Sequence, residues 1–244
     1  MKRFLFIAFI FISVSAAAQS APVVQTRRMI WTTAAAEYRF RSNWSWVSDA
    51  NFRFEPVDGD IFQWCVRSGI SYKTKTGITI TGGLVYFQHY ANPNSKPPRP
   101  ELRPWEEVSM KINLSAQHIL SPRVRLEQRF MKSYVGDELD KTYTLHSHRL
   151  RVRLEYTFHI RSAQPKNWFL LAGNEIMFYR TLSGFTALDQ NRAWAGFGYK
   201  FSDILSAQLT YMHLYQQKNS NAFDQLHIVR LAVQFIFTKK KKAS

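Results

Sequence analysis

The feature that most constrains this chain is a two-residue alternation, clearest over residues 148–160, HRLRVRLEYTFHI. After His148, the polar side chains Arg149, Arg151, Arg153, Glu155, Thr157 and His159 alternate with Leu150, Val152, Leu154, Tyr156, Phe158 and Ile160. Successive side chains of a β-strand point to opposite faces, so such a segment has one apolar face and one face of charges. A helix would scatter both classes around its circumference.

The same alternation recurs along the chain. It predicts strands over residues 30–41, 44–55, 62–73, 78–90, 107–117, 123–132, 148–160, 168–180, 191–201, 205–215 and 227–237. No helical periodicity competes over a comparable length. Strands of about ten residues match a tilted membrane crossing and exceed the five or six usual in soluble proteins. Tight connections are expected at Ser42 and Asn43, at residues 75–77, at Ser121 and Pro122, and at Ser202 and Asp203. Longer polar loops are expected at residues 91–104, 135–147, 181–189 and 217–225, the first excluded from strand pairing by its prolines. Outer-membrane barrels show this asymmetry. Eleven strands conflict with the even count of bacterial single-chain barrels. An extra strand within residues 22–31 would make twelve, and merging two would make ten.

The N-terminus, MKRFLFIAFIFISVSAAAQS, has the plan of a secretory signal peptide: two cations, a short apolar run and small residues before Gln19. Its expected extent is residues 1–18, with the barrel over 19–238 and a basic tail over 239–244. The whole chain carries a formal charge of +16 at a pI near 10.1. Nucleic-acid binding is the usual reading of such a charge, but export and arginines confined to alternate strand positions argue against it. The lone cysteine, Cys65, cannot form an intrachain disulfide. No later segment offers eighteen consecutive apolar residues, so any membrane crossing beyond the signal must be a closed β-barrel.

In a barrel the apolar alternates face lipid and the charged alternates face the lumen, because a charge on the lipid face at mid-membrane costs about 2–4 kcal/mol. The expected lumenal network contains Arg125, Glu127, Arg129, Arg149, Arg151, Arg153, Glu155, Glu175, Arg192 and Arg230, with Glu37 and Glu107 as further acids. Such residues either pair as ladders that fill a narrow barrel or leave surplus arginine to line a path for an anionic solute. Aromatic residues near strand ends, Trp31, Trp44, Trp46, Trp105 and Trp168 among them, are expected in interfacial girdles. The last strand ends VQFIF, and its terminal Phe237 is the kind of residue that barrel-assembly machinery reads.

Several stretches resemble one bacterial family, domain of unknown function 2490. They are RVRLEQRF (123–130), HRLRVRL (148–154), NEIMF (174–178), DQNRAWAGFGY (189–199), YMH (211–213) and ELRPWEEV (101–108). The resemblance implies an outer-membrane barrel of undefined role and adds Asn174 and Asn191 to the lumenal network. It implies no catalytic residue, cofactor or metal ligand.

Two other readings stay open. A lipid-modifying barrel enzyme, of phospholipase or acyltransferase type, would use Ser147 with His146 or His148, although adjacent strand residues point apart. A soluble periplasmic β-sandwich or lipocalin-like binding protein would bury the apolar stripes internally. The expected partners of the membrane reading are outer-membrane lipids, the assembly machinery and an anionic solute.

Overall fold

A computed structural model gives the fold. It describes residues 23–56, 61–90, 97–160, 167–182, 186–219 and 222–239. The signal segment and most of the basic tail lie outside these.

Among the described residues twelve strands follow one another: β1 (Val23–Arg39), β2 (Trp44–Phe54), β3 (Ile61–Lys73), β4 (Ile78–His89), β5 (Arg99–Met110) and β6 (Ile112–Asn113). The second half comprises β7 (His118–Val135), β8 (Glu138–His159), β9 (Trp168–Thr181), β10 (Thr186–Lys200), β11 (Leu205–Asn219) and β12 (Ala222–Thr238). They form one sheet, which closes where β5 pairs with β7. The two-residue β6 only doubles back on β7, so eleven strands make the wall.

The odd count is resolved by orientation, with no extra strand. Residues 23–30 extend β1, and β1 runs parallel to β12 from Val23↔Ala222 to Arg39↔Thr238. Every other neighbouring pair in the wall is antiparallel. A single parallel seam lets an odd number of strands close without leaving an edge.

Three expected connections are displaced. Ser121 and Pro122 lie inside β7, paired with Glu155 and Leu154. Residues 99–104 belong to β5 despite Pro100 and Pro104. The prolines leave a mark, because the β5–β7 ladder skips Arg103 and Pro104 between the Leu102↔Phe130 and Trp105↔Glu127 pairs. Pro104 has no N–H to donate there. The expected loop at 135–147 is also strand: β7 and β8 continue to a tight turn at Gly136, whose φ of +64° suits a residue without Cβ.

Alternation sets the two surfaces. Ile80, Leu84, Val108, Leu126, Val152, Val229 and Leu231 point outward and are about half exposed. From Leu150 to Phe158 the outward apolar run spans eight rises, about 27 Å of strand and about 21 Å along the axis at a tilt of about 40°. This approaches the roughly 25 Å apolar band of outer-membrane barrels. At the end carrying the 40–43, 74–77 and 201–204 connections, Trp44 packs on Tyr72 and Trp168 on Tyr199, each 4.9 Å between centroids, as an interfacial girdle would. Trp31 and Trp105 are not girdle residues. Both are buried and face the lumen.

Candidate functional site

The inward alternates of β5, β7, β8 and β9 carry the charges. Cross-strand pairing alone would make them repel: Arg125 lies opposite Arg151, and Arg123 opposite Arg153. Like charges directly opposite on a sheet are destabilising. The carboxylates one row away relieve this. Arg151 places Nη1 2.6 Å from Glu127 Oε1 and Nη2 2.8 Å from Glu175 Oε2. Arg125 Nη2 lies 2.5 Å from Glu107 Oε2, and Arg123 reaches both Glu107 and Glu175. Each acid therefore holds two or more guanidinium groups in a diagonal lattice.

A second centre forms on Glu101. Its Oε1 accepts from Nε of Arg103 and from Nε of Arg129, each at 2.6 Å, and its Oε2 lies 2.8 Å from Nε2 of His89. Arg103 Nη1 continues to Glu127 Oε2 at 3.2 Å, so the two centres are one network. Arg149 meets Asp189 at 2.6 Å, and Arg192 donates to Gln190 at 2.6 Å.

Opposite this charged wall stands an apolar one. Met29, Trp31, Trp194, Met212, Leu214, Leu226 and Ile228 pack together inside the barrel. Cys65, Val85, Phe87 and Trp105 form a smaller cluster. Guanidinium planes bridge the two walls: Arg103 stacks 3.9 Å from the Phe87 centroid, Arg53 4.2 Å from Trp31 and Arg125 4.4 Å from Trp105. Space for the Trp194 ring comes from Gly173, its cross-strand partner, where an added Cβ would overlap the indole.

These side chains are consequently closed to solvent at this level. Glu101 is 0 % exposed, Glu127 1 %, Arg125 3 % and Glu175 3 %. Charges lining an open aqueous pore would be wet. Some cations nevertheless have no carboxylate: among the described residues no ion pair forms to Arg53, Arg153 or Arg230. Arg230 Nε donates to Thr33 Oγ1 at 3.2 Å, Arg53 bonds Gln63, and Glu155 is engaged by Trp194 Nε1 at 3.2 Å.

Two expected network residues are elsewhere. Asn174 adjoins inward Glu175, and Asn191 adjoins inward Arg192, so alternation turns both amides outward. There they bond each other, at 3.1 and 3.3 Å. Ser147 and His148 are likewise divided: the serine is buried inside while the imidazole is exposed outside. Glu101, Arg103 and Asp189 were missed. The first two sit among prolines. Asp189 lies at a bulge in β10, where Asp189 and Gln190 are both buried.

A closed cylinder with an apolar belt outside and paired charges within defines an integral membrane β-barrel of the outer-membrane type. The family described as "Protein of unknown function (DUF2490)" matches residues 29–227, and the chain belongs to it. No curated protein sequence matches the chain. Among solved structures it is similar to a KdgM porin in complex with disordered oligogalacturonate, at 13 % identity and a TM-score of 0.42, covering 74 % of this chain and 81 % of that one. It is also similar to OmpT of Vibrio cholerae, at 12 % identity and a TM-score of 0.38, covering 71 % of this chain and 55 % of that one.

Proposed function

We propose that the protein is exported by its N-terminal signal, resides in the outer membrane, and serves there as a sealed barrel with a structural role. The carrying observation is the near-zero exposure of Glu101 and Glu127 inside the wall. A buried ion-pair lattice braced by tryptophan and phenylalanine fills the cross-section, and paired charges avoid the penalty of isolated ones. Phe237, at the end of β12, is the feature offered to the assembly machinery, and the outward apolar alternates are offered to lipid.

The test is conductance in planar bilayers. Wild-type protein should give no steady open-pore current at loads where insertion is demonstrated. Glu127→Gly with Arg151→Gly should produce one. A steady wild-type current would reject the sealed reading.

The surplus cations Arg53, Arg153 and Arg230 support a second reading, a narrow anion path. It predicts anion-selective wild-type conductance, weakened by Arg151→Ala or Arg192→Ala.

A further inference from the structure

The outer wall carries two cross-strand pairs of the same kind. His148 on β8 lies opposite Arg180 on β9. Arg28 on β1 lies opposite His227 on β12. All four occupy outward alternates. Each position comes directly after an outward apolar alternate, on the side away from the 40–43 turn: Leu150 before His148, Phe178 before Arg180, Ile30 before Arg28, Val229 before His227.

Each pair sits in a groove. One is about 430 Å³ and includes Leu126, Gln128, His148, Arg180 and Leu182. The other is about 510 Å³ and includes Thr26, Arg28, Ile30, Tyr211, His227 and Val229. Among the described residues neither Arg28 nor Arg180 has an ion-pair partner. Inside the barrel most arginines are matched to carboxylates, whereas these two are left bare on the outside. Opposed cationic groups would repel whenever the imidazole is protonated, unless an anion lies between them.

We propose that each groove binds the phosphate headgroup of a membrane lipid, with its acyl chains lying on the apolar alternates below. The guanidinium would grip phosphate oxygens as a fork, and the imidazole would donate a further bond. Leu126 and Leu182 in one groove, and Ile30 and Val229 in the other, favour an amphiphile over a free anion. The inference rests on the membrane reading.

The experiment uses the full chain folded in detergent micelles, with dioleoyl phosphatidic acid added and retention followed by native mass spectrometry. Two phosphatidates should stay bound. Arg180→Met should remove one and Arg28→Met the other, each weakening its site at least tenfold, while Arg→Lys at either position keeps part of the binding. Dioleoylglycerol should not be retained. A double Arg28→Met, Arg180→Met variant that holds as much phosphatidate as wild type overturns the proposal, as does equal retention of dioleoylglycerol. Displacement by millimolar inorganic phosphate alone would overturn the lipid as the source. Liposome insertion is scored in parallel. Insertion without lipid retention defeats this inference only, whereas failure to insert defeats the membrane reading with it.

Discussion

Nη1 of Arg151 lies 2.6 Å from Oε1 of Glu127, joining β8 to β7 across a row that would otherwise set Arg151 against Arg125. Glu127 also accepts from Arg103, so its carboxylate neutralises guanidinium groups from two strands. Removing it leaves Arg151 to Glu175 alone and Arg103 to Glu101 alone, so buried cations lose part of their compensation. Glu127→Ala should therefore cost about 3–5 kcal/mol of stability. Unfolding by urea in detergent, with the folded fraction read from gel mobility without boiling, measures this. A loss near zero would show that the lattice carries no stability.

Replacing both partners should cost less than replacing one. Glu127→Leu with Arg151→Met removes two charges together, and exchange of a buried ion pair for packed apolar groups is often neutral or stabilising. The double variant should be at least about 2 kcal/mol more stable than Glu127→Ala. If the double is as damaged as the single, the lattice acts through geometry that no apolar packing replaces.

At Gly173 the lumen has no spare room. A methyl group there would overlap the Trp194 indole, so Gly173→Ala should destabilise by about 1–3 kcal/mol through overpacking. Trp194→Phe, introduced in the same chain, should recover part of that loss by shortening the ring. Absence of any recovery would mean that backbone approach, and not the indole, makes the site tight.

The division between legible and illegible features follows the physics of alternation. Arg149, Arg151 and Arg153 can be assigned to the lumen because their spacing is two and their neighbours Leu150 and Val152 are apolar. Asn174 could have been excluded from the lumen by the same rule, since Glu175 beside it has the stronger claim to the interior. Glu101 and Arg103 were hidden because prolines at 100 and 104 read as loop, and only pairing with β4 and β7 overrides that local signal. The apolar inner wall left a trace in the segment LHIVRLAVQFIF, where both sets of alternates are largely apolar, so each face of β12 demands a dry neighbour. The parallel seam had no trace at all. Alternation states which way side chains point, and says nothing about which strand becomes the first strand's neighbour.

The ladder gap beside Pro104 should be visible in solution. The backbone amide of Gln128 faces a stretch without β5–β7 bridges. It should exchange with deuterium faster than those of Glu106 and Leu126, which are paired. Pro104→Val supplies an N–H and should slow exchange at Gln128. Unchanged exchange there would mean that the gap is not caused by the missing donor.

The parallel closure of β1 on β12 can be tested by covalent trapping. Ala34 and Val233 are register partners on the outward face, and neighbouring strands lie about 4.7–4.9 Å apart, within the roughly 4.4–6.8 Å that a disulfide spans between Cα atoms. Ala34→Cys with Val233→Cys should therefore cross-link on mild oxidation. Ala34→Cys with Phe237→Cys places the second thiol four residues along the strand, about 13 Å away, and should not. Cys65 is buried on β3 and does not compete. Preferential cross-linking of the second pair would show that the first and last strands meet in another register, and the eleven-strand closure would fall with the seam that makes it possible.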